Sequence, residues 1–320
     1  MKPRVAISVG CPCGIGPEVA VVAAARFARK ARVTLVGDRG ALLAAARLRG
    51  VDATKLEVVQ PTASLPAPER RPGAPGRAAG AAQLAWIDAA TDMVRAREAD
   101  ALVTGPVSKD VIARSGGAVA RRFRGHTEHL AERLGAAEVT MAFWSEKLTT
   151  SLVTTHLALA DVPRAITPAA VARATFWTGD FLARLGARGA LAVASLNPHA
   201  GEGGLLGKEE SRAIAPGIRR ARARLAKARV AIDVVGPVPA ESALRLGATG
   251  GYAGVVAMYH DQATIPMKLL GFGEAVNVSL GLPIIRTSVD HGTAYDRAGK
   301  GTADARGMLE AIALALRLGA

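Results

Sequence analysis

Short apolar runs closed by glycine or a polar residue alternate along this chain with longer alanine-rich segments. RVAISVG (4–10) predicts a strand, and GPEVAVVAAARFARK (16–30) predicts a helix with Pro17 in its first turn and Glu18 near the positive end of its dipole. RVTLVGD (32–38) and RGALLAAARLRG repeat the pair. A βαβα opening of this kind predicts a parallel sheet covered by helices. The stretch 60–80, rich in Pro, Gly and Ala, predicts a surface loop. An amphipathic helix is expected over 81–100, then a strand over 101–109 that ends in a Gly-Pro turn. The alternation continues with strands at 139–144, 149–154, 190–195, 231–235 and 253–259. Helices are expected at 127–134, 167–184, 208–228 and 239–247, and ADARGMLEAIALALRLG closes the chain as a helix.

Composition narrows this picture. A chain of 320 residues supports about two domains. Hydrophobic residues make up 50% and aromatic residues 4%, so Ala, Val, Leu and Ile must fill the interior. No run reaches the roughly 18 apolar residues of a membrane span. The first apolar stretch is too short for a secretory signal, which leads us to expect a cytoplasmic protein. The formal net charge of +14 is spread over solvated helix faces, with its densest cluster in IRRARARLAKAR (218–229). Aromatic residues do not interleave that cluster, which argues against nucleic acid as a partner and leaves attraction of small anions as the role of the charge. Cys11 and Cys13 are two residues apart, a spacing that strains a disulfide, so both are expected as thiols.

In open α/β sheets ligands bind beyond the carboxyl ends of strands. Three of the six histidines stand there: His156 after SLVTT, His199 after LAVASLNP, and His260 after GVVAMY. His126 and Thr127 open an expected helix, where Thr127 also suits a helix cap. His291 stands at an apolar-to-Gly transition. Three neutral imidazoles suit a divalent cation that keeps an open position, although 156, 199 and 260 form no local metal signature. The stretch VVAMYHDQATIPMKLLGFG (255–273) adds Asp261 and Lys268 close to His260. Neither GxGxxG nor GxxxxGK[ST] occurs.

Taken together, GIGPE, TGPVSK, GHTEHLAE, VTTHLAL, NPHAGEGGLLGKEE, the long block YHDQATIPMKLLGFGEAVNVSLGLPIIRTSVDHGTA and AGKGTADA resemble the 4-hydroxythreonine-4-phosphate dehydrogenase family of pyridoxine biosynthesis, in one order from residue 14 to 305. The resemblance implies an α/β, two-domain isocitrate/isopropylmalate dehydrogenase-like fold with mixed, mostly parallel sheets flanked by helices. Residues 1–122 plus 277–320 would form the cofactor-side domain, and 123–276 the domain of the metal ligands and dimer interface. It implies a homodimer with the active site at the interface. His156, His199 and His260 match the metal ligands, with His260 expected from the other subunit and Zn, Mg or Co as the ion. His126, Thr127, Lys268, Asn277 and Arg286 match substrate contacts. The loop HGTAYDRAGKGTAD is similar to the cofactor loop of isopropylmalate dehydrogenases, so His291, Gly292, Asp296, Gly299 and Gly301 are expected to bind NAD or NADP.

The family chemistry is oxidation of a phosphorylated β-hydroxy acid by NAD, followed by decarboxylation. Both steps build negative charge on one oxygen, which a cation on neutral imidazoles would stabilise. The general base stays open between Asp261 and Lys109; an acid next to a ligand can also orient the imidazole. Cys11 stands where the family has Asp, Cys13 where it has Ala, and Arg124 where Pro is common. Other branches act on phosphorylated four-carbon sugar acids or a terephthalate dihydrodiol and share the three histidines. Non-redox acyl or phosphate transfer on a similar scaffold is the distant alternative, with no need for three imidazoles.

Overall fold

The computed structural model describes residues 2–271 and 273–319. They divide into two compact units, Met1–Ala136 with Leu282–Ala320, and Ala137–Gly281. In the first unit, β1 (Arg4–Ser8), α1 (Gly16–Phe27), β2 (Arg32–Val36) and α2 (Arg39–Leu48) realise the expected opening. Asp38 caps α2 by accepting from the Ala41 N–H, which satisfies a donor the helix cannot. A short β3 (Glu57–Val59) follows. The proline-rich stretch after it is pinned rather than loose. The Leu65 N–H bonds the Asp38 carboxylate, and the Glu69 carboxylate reaches the Ala79 N–H in the first turn of α3 (Arg77–Arg95). That distant cap lets α3 start before the expected position 81. Then come β4 (Ala101–Thr104), α4 (Lys109–Arg114) capped by Ser108, α5 (Ala118–Arg121) and α6 (His126–Leu134).

The second unit runs through β5 (Thr140–Trp144), β6 (Thr149–Leu152), α7 (Val162–Ala165), α8 (Pro168–Arg184), β7 (Leu191–Ala194), α9 (Ala215–Lys227), β8 (Val234–Val238), α10 (Ala240–Ala248), β9 (Gly254–Ala257), α11 (His260–Gly271) and β10 (Val276–Leu280). The chain returns to the first unit for β11 (Arg286–Val289) and α12 (Arg306–Leu318).

Strand order in the first unit is β3-β2-β1-β4-β11, all parallel. In the second it is β10-β5-β6-β9-β7-β8, antiparallel across β10/β5 and β5/β6 and parallel elsewhere. Helix-covered parallel strands are buried on both faces, which explains why β4, β7 and β9 read as unbroken apolar runs. Phe143, Leu152, Ala192, Ala194, Val255 and Ala257 pack with Met267 of α11 into the second core.

The unit boundaries fall at 136/137 and 281/282, against the expected 122/123 and 276/277. Two contacts account for the shift. His129 and Arg133 of α6 pair with Asp88 and Asp92 of α3, at 2.7 and 2.6 Å, which holds α6 in the first unit. The full length of β10 pairs with β5, which holds 276–280 in the second. Helix α11 is a further departure: Pro266 in its interior hides the helical pattern. Asn277 lies within β10 opposite Phe143.

Candidate active site

Three adjacent parallel strands of the second unit, β6, β9 and β7, each lead at their carboxyl ends into one of the singled-out histidines. The chain leaves β6 held to β9 by Val153 N–H to Ala257 O (2.9 Å) and by the Thr154 hydroxyl to Met258 O (2.7 Å). It then reaches exposed His156. His260 is the first residue of α11, and its ring centre lies 5.5 Å from that of His156. Two imidazoles bound to one cation at about 2.1 Å through nitrogen hold their ring centres about 5 Å apart at a tetrahedral angle, so this pair fits a shared ion. His260 Nδ1 lies 2.7 Å from Asp261 Oδ1. A donated Nδ1–H leaves Nε2 as the ligand atom, the usual carboxylate–imidazole arrangement around metals.

His199 sits on a different kind of support. Residues 199–203 all have left-handed φ, from 45° at Glu202 to 79° at Gly201. Three of the five carry side chains, each disfavoured there by about 1–2 kcal/mol. Such strain persists where surrounding structure dictates it, and it clusters at functional sites. Gln262 ties this region to the next strand, donating to Ser195 O at 2.9 Å and accepting from the Met258 N–H at 2.7 Å. Within one chain, His156 and His260 are thus brought together, whereas the resemblance implied His260 from the other subunit. No group of three metal-capable side chains forms among the described residues. Lys268 is exposed on α11.

The first unit gathers cations. Arg286 opens β11 and is buried, donating to the Thr104 hydroxyl at 2.7 Å. Burial pulls its pKa down to about 9. His126 begins α6. Burial, then the neighbouring charges of Arg286, His129 and Lys109, hold it well below the usual imidazole range and hence neutral. Its Nε2 is buried with no hydrogen-bond partner. A neutral imidazole, a buried guanidinium and an ammonium lie near one another, with the Glu128 carboxylate also acting on Arg286, and two cations beside a neutral imidazole suit an anionic ligand. Thr127 is inside α6; Gly125 occupies the cap position, so the capping role open to Thr127 is not used.

The carboxyl ends of β1, β4 and β11 carry the remaining loops. The Cys11 N–H bonds Pro106 O (2.8 Å), and the Ile15 N–H bonds Thr293 O (3.0 Å). Gly10, with φ 80°, lies so close to Pro106 O that a side chain cannot fit. Of the expected cofactor residues, Gly299 donates its N–H to the buried Glu18 carboxylate at 2.8 Å. His291 Nδ1 contacts Gly292 O at 3.0 Å, Asp296 is exposed, and Gly301 follows in the same turn-rich loop. A cleft of about 510 Å³ borders this loop, lined by Pro12, Pro17, Ala44, Leu48, Arg70 and Gly299. Cys11 and Cys13 are both thiols and both buried. Cys11 Sγ is 3.4 Å from the Tyr295 hydroxyl, and Cys13 donates to Glu69 O at 3.1 Å. Hydrogen bonding with Cys13, ahead of that with Tyr295, lowers Cys11 to about 7, while the bond with Cys11 and then burial raise Cys13.

Parallel strands with loops gathered at their carboxyl ends, joined in one chain to a mixed-sheet unit, define the isocitrate/isopropylmalate dehydrogenase fold class. Isocitrate dehydrogenase from Methylococcus capsulatus shares this fold at 17% identity, with a TM-score of 0.50 over 99% of this chain and 85% of that one. The chain belongs to the family described as pyridoxal phosphate biosynthetic protein PdxA, whose profile matches residues 20–315. It is 42% identical, over 99% of its length and 96% of the relative's, to 4-hydroxythreonine-4-phosphate dehydrogenase of Geobacter metallireducens. It is 39% identical to D-threonate 4-phosphate dehydrogenase of Cupriavidus necator, over 97% and 95%. The crystal structure of 4-hydroxythreonine-4-phosphate dehydrogenase from Klebsiella pneumoniae matches with a TM-score of 0.82 at 33% identity over the whole of both chains.

Three residues with structural claims on the site escaped sequence reasoning. Gln262 stands within the 255–273 stretch beside His260, but one of its partners, Ser195 O, lies beyond the end of β7. Glu210 and Glu18 look like ordinary helix-start carboxylates, and only their burial distinguishes them.

Proposed function

We propose that the chain oxidises 4-phosphohydroxy-L-threonine, with decarboxylation to 3-amino-2-oxopropyl phosphate, in cytoplasmic pyridoxal phosphate biosynthesis. The observation that carries this reading, beside family membership, is the delivery of His156, His260 and His199 by three neighbouring strands. When bound, a divalent cation (Zn, Mg or Co) supplies a Lewis acid for the developing oxyanion, and NAD or NADP supplies the hydride acceptor. His156, His199 and His260 would hold the cation, with Asp261 fixing the His260 tautomer. His126, Thr127, Lys268, Asn277 and Arg286 bind the anionic substrate, Arg286 through its planar fork. The proton acceptor stays open between Asp261, which is engaged by His260, and Lys109, which would accept a proton only as the neutral amine. His291, Gly292, Asp296, Gly299 and Gly301, with the neighbouring cleft, hold the dinucleotide.

The working form is a homodimer. Leu157 and Leu159 follow His156, Leu205 and Leu206 follow His199, and Ile265 and Leu269 lie on α11 beyond His260. All six are exposed, Leu205 at 84%. Large apolar side chains on the three histidine-bearing segments suit burial by a second copy.

The test is NADH formation from 4-phosphohydroxy-L-threonine, with and without a chelator. Chelator-sensitive turnover supports the reading. Turnover confined to D-threonate 4-phosphate supports the second reading, favoured by the Cupriavidus relative.

A further inference from the structure

The turn that carries His199 is strained, and the fold holds it through one buried carboxylate. Glu210 is 6% exposed and stands at the start of a π-helical turn, Glu210–Ile214, ahead of α9. Insertions of this kind recur at functional sites. Glu210 Oε1 accepts the backbone N–H of Leu196 at 2.9 Å and of Asn197 at 2.8 Å. Its Oε2 accepts the Asn197 side-chain amide at 3.0 Å. The same amide donates to Glu209 Oε2 at 2.7 Å. Past Asn197 the chain enters its left-handed stretch, and Gly201 lies against the carboxylate: a Cβ there would meet Glu210 Oε2 at 2.8 Å. Gly207 gives the Asn197 amide its space in the same way. One side chain therefore holds the entry to the turn and leaves room only for glycine at position 201, two residues on either side of His199.

We infer that Glu210 is a positioning residue, which holds the 197–204 turn in the conformation that presents the His199 imidazole to a divalent cation. This rests on the three-histidine reading of the site. Glu210 acts through backbone, not through the imidazole, and needs no contact with the ion. Partners that orient metal ligands are worth about 10–100-fold in metal affinity.

The experiment compares wild type, Glu210→Ala, Glu210→Gln and His199→Ala as metal-free proteins. Zn²⁺ affinity is measured by competition with a chromophoric chelator, and amide hydrogen exchange is followed across 196–206. Glu210→Ala is expected to bind Zn²⁺ about 10–100-fold more weakly, with faster exchange confined to 196–206. Glu210→Gln keeps an acceptor for the Leu196 and Asn197 N–H groups, so it should recover much of both. It also serves if the alanine variant does not fold. Wild-type affinity and wild-type exchange in Glu210→Ala would overturn the inference. If His199→Ala binds Zn²⁺ as tightly as wild type, the metal reading fails on its own, and unchanged exchange in the Glu210 variants separately decides against the positioning role.

Discussion

Replacing Arg286 by Met should abolish the stabilisation of this protein by phosphate. Burial takes the guanidinium from its ordinary, strongly basic value down to about 9. At about 1.4 kcal/mol per pKa unit, the charged form is disfavoured by on the order of 5 kcal/mol. The folded pKa lies below the unfolded one, so at neutral pH the cation is a standing cost of folding, relieved as pH rises through about 9. The Thr104 hydroxyl offsets part of that cost. An anion that binds the folded state beside Arg286 and His126 offsets more: at 100 times its Kd it adds about 2.7 kcal/mol. With an unfolding entropy of about 2.1 cal/mol/K per residue, a chain of 320 residues should gain roughly 4 °C in Tm. The assay is thermal unfolding at pH 7.5 in phosphate against sodium chloride of equal ionic strength. Arg286→Met should show less than about 1 °C of phosphate-specific rise. A full phosphate response in Arg286→Met would refute the reasoning, since the general salting effect of phosphate does not depend on this residue.

Three further outcomes are expected. His126 is neutral in the fold and has a depressed pKa; its contribution is complete above about pH 6.5 and is lost as pH falls below it, with a slope of up to about 1.4 kcal/mol per pH unit. His126→Gln should flatten urea-derived stability between pH 6.5 and 5, and an unchanged slope would remove His126 as the cause. Glu18→Ala strands the Gly299 N–H and removes the carboxylate 3.7 Å from Arg49, which keeps its bond to Ala303 O, so it should cost about 1–3 kcal/mol and raise KM for NAD; Glu18→Gln, which still accepts from Gly299, should lose less. Ala200→Gly relieves a left-handed φ of 53° and should stabilise the protein by about 1 kcal/mol in urea unfolding, whereas a loss of stability would show that the turn is not strained.

Much of the site was legible because strand ends are legible. An apolar run that stops at a polar residue marks a carboxyl end, and this located His156, His199 and His260. The resemblance then added Asn277 and Arg286 and gave a substrate role to Lys268, which the 255–273 stretch had already singled out. What escaped was whatever another segment imposes. Helix α11 was missed because Pro266 breaks its pattern, while Ala263 and Met267 pack it onto the second core regardless. The early start of α3 needed Glu69 from outside the helix.

By itself, the amino-acid order determined the alternation of strands and helices, the alanine-filled interior, and which polar residues stand at the strand ends. These depend on local periodicity and on breakers within a few positions. Only the tertiary structure decided that β6, β9 and β7 lie side by side, that His126 stays neutral beside a buried Arg286, and that residues 199–203 turn left-handed under Glu210. Strand order, desolvation and imposed strain arise between segments far apart in the chain, where no local pattern records them.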